Sequence, residues 1–279
     1  MKFINSRFRF KIVSILLCLP AFASASFAVT KKPLLNPEGL ALDAKGNLYV
    51  ANFSGNNILV YSPNYVQTAA KTISQDISRP TAVAFDGSGN LWAANLASNS
   101  VTEYSGGNQN TSATITNGIA SPLALAIDGL DDVWVQNSDV NITIYAPGTG
   151  FVRTITPGTN IYGMAISGEW LAWGDGFNTT FVYASPELIT GTLSGGLAAA
   201  NFGAALAADG KGNFYIANTD GSVWVSNLVA ENESFFVQLP FTASGIAVDN
   251  TRKRVYFSNF NGNSISVYST SGAFLTTIQ

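Results

Sequence analysis

The sequence predicts an all-β protein, a six-bladed β-propeller with four strands in each blade. Three observations carry that expectation. One short phrase recurs six times at spacings of 39 to 43 residues, and a fixed period near 40 marks a repeat architecture. Between its turns, the phrase reads as short strands of period two bounded by Gly, Asn and Asp. Hydrophobic residues make up 47% of the 279 and charged residues only 11%, with 26 glycines, which excludes a disordered chain and suits buried blade faces joined by many tight turns.

The first 28 residues read as an address. Lys2, Arg7, Arg9 and Lys11 form a basic start, residues 12–19 a short apolar core, and Ala23-Ser24-Ala25 an A-x-A site, the order of a secretory signal peptide. An apolar run of about eight residues is too short for a bilayer, which takes about 20. Export to the periplasm or the extracellular space is therefore expected, with cleavage after residue 25 or 28 and no transmembrane segment. Cys18 follows Leu16-Leu17 rather than the small residues of a lipoprotein signal. Removal of the leader leaves ten basic against 17 acidic residues and no cysteine. Such an acidic balance repels phosphate backbones, so nucleic acid is not an expected partner.

Residues 29–36 form an arm, either free or lying across the closure of the ring. The propeller is expected over 37–279, with blades at 37–78, 79–120, 121–160, 161–200, 201–240 and 241–279. The copies read PEGLALDAKGNLYVAN from Pro37, PTAVAFDGSGNLWAAN from Pro80 and PLALAIDGLDDVWVQN from Pro122, then IYGMAISGEWLAWGD, GAALAADGKGNFYIAN and ASGIAVDNTRKRVYFSN. Their turn anchors are Asp43, Asp86, Asp128, Ser167, Asp209 and Asp249.

Within a copy, a run of small apolar residues such as Leu40-Ala41-Leu42 suits the crowded centre of a radial array. Asp-x-x-Gly-Asn follows, a turn with a side-chain acceptor at its start and a glycine where positive φ is needed. An aromatic-bearing strand such as Leu48-Tyr49-Val50 comes next. A third strand closes on Tyr61, Tyr104, Tyr145, Tyr183 or Tyr268, with Val225 in that place in the fifth copy. Stretches such as Lys71-Thr72-Ile73 and Ala113-Thr114-Ile115 are expected to supply outer strands, and blade six to carry its own outer strand at residues 273–278. The five tryptophans, at 92, 134, 170, 173 and 224, read as core.

These copies resemble NHL repeats, whose units follow P-x-G-[IVL]-A-[IVL]-D…G-N-[IVL]-Y-V-[AT]-[DN], over roughly residues 37 to 279. The Gly-His and Trp-Asp signatures of WD40 units are missing. The resemblance implies a fold rather than an activity, since propellers host unrelated functions.

Chemistry is limited by what the chain lacks. With no histidine there is no Ser-His-Asp or Cys-His arrangement and no His-ligated zinc. Streptogramin lyases and peptide-amidating lyases share the fold but depend on histidines. Glu38-Gly39 ahead of the first inner strand is similar to sugar-lactone lactonases of the SMP-30/gluconolactonase type. In that family the Glu joins Asn and Asp side chains from other blades around a divalent cation. Five residues before each turn anchor, the present chain places Glu38, Thr81, Leu123, Tyr162, Ala204 and Ser244. One carboxylate stands where a cation needs several oxygen ligands, so no cofactor and no catalytic residue are expected. Calcium, magnesium, manganese or zinc at Glu38 belongs to the alternative of a divergent metal-dependent lactonase-like hydrolase.

The loops joining second to third strands share the face of those inner-strand starts and carry Phe53, Phe177 and Phe260 among amides and hydroxyls. The leading Asn of each loop reads as a turn cap. Such a face suits a carbohydrate, a peptide or a protein surface. The expected ligand-binding set is Glu38, Thr81, Tyr162, Ser244, Phe53, Phe177 and Phe260. The expected function is a secreted, monomeric, non-catalytic binding module.

Overall fold

The computed structural model describes residues 30–138, 140–147, 150–156, 161, 163–168, 170–174, 179–183, 192–197, 203–227 and 232–279. The chain is an all-β propeller. Helix among the described residues is confined to short 3-10 turns, and none is long and apolar enough to cross a membrane.

The first sheet holds β1 (Pro37–Leu42), β2 (Leu48–Asn52) and β3 (Asn57–Tyr61). The second holds β4 (Pro80–Phe85), β5 (Leu91–Asn95), β6 (Ser100–Tyr104) and β7 (Ala113–Ile115), and the third β8 (Pro122–Ile127), β9 (Val133–Asn137), β10 (Ile142–Ala146) and β11 (Gly150–Ile155). In the fourth are β12 (Gly163–Ser167), β13 (Trp170–Gly174), β14 (Thr179–Tyr183) and β15 (Thr192–Leu197). The fifth comprises β16 (Gly203–Ala208), β17 (Asn213–Asn218), β18 (Ser222–Asn227) and β19 (Asn232–Gln238), and the sixth β20 (Gly245–Asp249), β21 (Arg254–Asn259), β22 (Ser264–Ser269) and β23 (Phe274–Ile278). Each is an antiparallel meander, and the innermost strands β1, β4, β8, β12, β16 and β20 pack side by side, with β20 returning to β1.

The expectation of four strands in every sheet is corrected in the first. Residues Lys71-Thr72-Ile73 do not make an outer strand. A 3-10 turn at Ala69–Lys71 uses the N–H groups of Lys71 and Thr72 for bonds to Thr68 and Ala69. Those groups are lost to a ladder, and only the isolated bridges Ile58–Ile73 and Tyr61–Gln67 remain.

The turn chemistry explains the register. Asp43 Oδ1 accepts from the N–H groups of Lys45 and Asn47, and Oδ2 from Asn47 Nδ2; Asp209 repeats the pattern on Lys211 and Asn213. Gly46 and Gly212 hold φ of 80° and 89°, a region that costs an L side chain. Asp86 and Asp128 also accept from Trp92 Nε1 and Trp134 Nε1, so the anchor ties turn to second strand. Trp134 and Trp173 are buried, whereas Trp92, Trp170 and Trp224 are half-buried at sheet faces.

The core is divided among the seams between sheets. Tyr49, Ala51, Ile58 and Val60 of the first sheet meet Val83, Leu91, Ala93 and Tyr104 of the second. The alternate residues Leu48, Val50, Leu59 and Tyr61 meet Ala247, Tyr256, Ile265 and Val267 of the sixth. The interior strands of the first sheet are thus buried on both faces, which is why they run apolar with so few charges. Leu34 joins the seam between first and sixth sheets. Lys32 exchanges two backbone bonds with the Gln67 side chain, and Asn36 bonds to Phe260 and Asn263 of the sixth sheet.

Candidate functional site

Two backbone devices build the mouth of the central channel. The first is a bulge at the start of the inner strand. Pro80 pairs with Asn95 and Ala82 with Ala94, leaving Thr81 unpaired; Leu123 is left over in the third sheet and Ala204 in the fifth. In the first sheet the shift falls between Pro37 and Leu40, at Glu38-Gly39. A bulge re-aims the extra residue, and here it does so at the position five before the turn anchor.

The second device is a belt of asparagines. Asn263 Oδ1 accepts from Asn36 N–H at 2.7 Å, Asn56 Oδ1 from Arg79 N–H at 2.8 Å and Asn99 Oδ1 from Ser121 N–H at 2.7 Å. Each bond joins the loop of one sheet to the entry of the next, and all six residues have positive φ. The leading asparagines work within a sheet: Asn52, Asn95 and Asn137 are buried and accept from Leu35, Ser78 and Ala120 N–H.

These devices bring Glu38, Thr81, Leu123 and Ser244 to one cavity of about 460 Å³ at the mouth, within the range of small-ligand sites. Below it the channel narrows to about 90 Å³ between the inner strands. Residues four before the anchor are all Gly or Ala because neighbouring strands nearly touch there. A Cβ on Gly39 would lie 2.6 Å from Ala82 Cα.

Glu38 is the one ionisable residue among the described lining residues. Burial pushes its carboxyl up to about 8, the Arg79 guanidinium offsetting part of that shift. Only its backbone is fastened, the carbonyl accepting from Ser258 Oγ at 2.6 Å. Thr81 and Ser244 are different. Thr81 Oγ1 donates to Pro122 O at 2.9 Å and Ser244 Oγ to Pro37 O at 2.8 Å, each bond stapling one inner strand to the next. Their hydroxyls face the mouth already engaged in closing the ring. Leu123 contributes an apolar side chain, 38% exposed.

Phe260 lines the cavity, but Phe53 does not. Phe53 is buried, its ring 5.6 Å from that of Phe260 and capped by the Arg79 guanidinium at 4.6 Å. Tyr162 and Phe177 lie outside the described residues. Sequence reasoning missed Ile161, Thr242 and Ala243, which precede the inner strands and line the mouth. It also missed Arg79, whose signal was its place directly before Pro80, matching Asn36 before Pro37.

The donor set does not fit a divalent cation. Hard cations take several anionic or carbonyl oxygens, whereas among the described lining residues Glu38 stands without a second acid and the hydroxyls donate to carbonyls. Asn36 is spent on Phe260 O and Ser54 Oγ. Among the described residues no three acidic, histidine or cysteine side chains converge.

No protein-family profile matches the chain, and no curated protein matches it. Solved structures do. A streptogramin B lyase is similar with a TM-score of 0.63 at 11% identity, over 90% of this chain and 85% of that one. A gluconolactonase from Xanthomonas campestris is similar with a TM-score of 0.62 at 14% identity, over 82% of this chain and 85% of that one. At such identities the likeness is one of fold: the chain shares the propeller architecture of both.

Proposed function

We propose that this chain is an exported, monomeric, six-bladed propeller of NHL type that binds a ligand at its channel mouth and performs no chemistry there. Counting the three-stranded first sheet as a blade gives six, a reading supported by the unbroken ring of inner strands. The Asp-x-x-Gly-Asn turns support the NHL assignment, and the basic start with its A-x-A site supports export.

One observation carries the binding reading: among the described residues, a ligand-sized cavity holds a single carboxyl with no hydrogen-bonded side-chain partner. Besides Thr81 and Ser244, the lining hydroxyls of Ser138 and Thr242 also donate to backbone carbonyls, Ala120 O and Thr219 O. Among the described lining residues that leaves neither an activated nucleophile nor a base–nucleophile pair.

A lactonase-like hydrolase is the second reading. It is favoured by a carboxyl whose proton equilibrium lies near neutrality, as general acid–base catalysis requires, in a fold shared with a gluconolactonase. Turnover of sugar lactones and thermal unfolding, each with EDTA, calcium, magnesium, manganese or zinc, separate the two. The binding reading expects no turnover and no cation-dependent shift. Cation-dependent hydrolysis that disappears in Glu38→Ala would replace it with the second.

A further inference from the structure

Resting on the binding reading above, we propose that the channel mouth selects an organic ammonium ion carried on an apolar stem, with Glu38 as its counter-ion. The walls of the cavity divide by chemistry. Leu123, Val140, Ile161, Ala243 and Phe260 offer hydrocarbon and one aromatic ring. The polar residues offer less than their number suggests, because the hydroxyls of Thr81, Ser138, Thr242 and Ser244 all donate to backbone carbonyls. Asn137 is held by Ala120 N–H and Thr143 Oγ1. Among the described lining residues that leaves Asn261 as the one amide without a protein partner, fewer than a polyol needs.

An ammonium needs one good partner, and Glu38 has none. No hydrogen bond joins its carboxyl to another described residue, and no basic side chain is among the described lining residues. Burial, only partly offset by the Arg79 guanidinium, is what holds the carboxyl protonated near neutral pH. An incoming cation removes that penalty, since an opposite charge favours the ionised form.

The aromatic wall points the same way. Phe260 packs on Phe53, whose face already hosts the Arg79 guanidinium at 4.6 Å. This ring pair accepts a cation on one side, and the exposed flank of Phe260 offers the mouth the same quadrupole. Over residues 29–279, 17 acidic side chains outnumber ten basic ones, a balance that draws cations toward the surface. The described lining residues lack the several oxygen ligands a divalent metal needs, and an anion would meet Glu38 with only the Phe53-bound guanidinium in return.

The test is thermal unfolding of the exported protein at pH 8.5 with hexylammonium, hexanol and hexanoate as probes. Hexylammonium is expected to raise Tm in a concentration-dependent way, with hexanol and hexanoate far weaker. Glu38→Gln, which keeps the backbone bond to Ser258, is expected to retain its fold and lose the response. In the wild type, lowering the pH to 6 should weaken hexylammonium binding about tenfold or more, because Glu38 must then give up a proton to bind. Arg79 is the charged group facing Glu38, and no other described lining residue is ionisable. Hexanol binding as well as hexylammonium, an undiminished response in Glu38→Gln, or no response to hexylammonium would each overturn the ammonium assignment. Cation-dependent lactone hydrolysis would instead overturn the binding reading beneath it.

Discussion

Replacing Glu38 by Gln should stabilise the protein increasingly as pH rises above 4.5. In the folded chain the carboxyl titrates at about 8, against 4.5 without the fold's influence, with burial the main cause and Arg79 a partial offset. Between those values the folded state holds a proton that the unfolded state has released. Stability therefore falls as pH rises through this window, by about 1.4 kcal/mol per pH unit. Across the window the loss amounts to about 4 to 5 kcal/mol, complete once pH exceeds the folded value. Below 4.5 both states are protonated and the favourable neutral form is fully present. Gln has the same shape and no charge to desolvate, so it escapes the loss. The difference in unfolding free energy between Glu38→Gln and wild type should be near zero at pH 4.5 and rise to several kcal/mol at pH 9. In a domain of this size that is a gap in Tm of about 10 °C or more. Urea titrations at half-unit pH intervals measure it directly. A difference that stays flat from pH 4.5 to 9 would refute the reasoning, because it would mean that the carboxyl is hydrated at the mouth and titrates as a surface acid does.

Two further outcomes test the scaffold. Asn95→Ala removes a fully buried amide that accepts from Ser78 N–H and donates to Thr102 Oγ1 and Ala93 O. Stranding those groups should cost about 2 to 4 kcal/mol in urea unfolding, and a loss below about 0.5 kcal/mol would show that the leading asparagines are replaceable surface caps. Gly39→Ala puts a Cβ 2.6 Å from Ala82 Cα and 2.8 Å from Thr81 O, so it should destabilise by about 2 kcal/mol or more. Gly129→Ala, with nothing within 4 Å, is the control expected to leave Tm unchanged, and equal effects of the two would count against close packing of the inner strands.

Much of this architecture was legible because each repeat carries its own local instructions. Asp43 and Gly46 define a turn through interactions within five residues, and the same chemistry recurs at Asp86 and Asp209. Once that turn is located, counting back five positions reaches Glu38, Thr81, Leu123 and Ser244, which share a cavity in the structure. The first sheet shows where local reading fails. Residues 71–73 have strand-like composition, yet the 3-10 turn before them removes the donors a fourth strand needs. Phe53 and Phe260 occupy equivalent places in their copies, but Phe53 is buried under Arg79 while Phe260 faces the cavity, a distinction the repeat itself does not contain.

The sequence by itself determined the period, the strand order within each copy and the turn anchors, since these follow from interactions only a few residues apart, and it displayed the small inner-ring residues because the same close approach recurs in every copy. Tertiary structure alone decided which mouth residues are free to act. Thr81 meets Pro122 across 41 positions and Ser244 meets Pro37 across 207, so their hydroxyls are spent only when the ring closes. The carboxyl of Glu38 acquires its unusual proton affinity in the same event, because desolvation depends on everything brought around a group and not on the residues beside it in the chain.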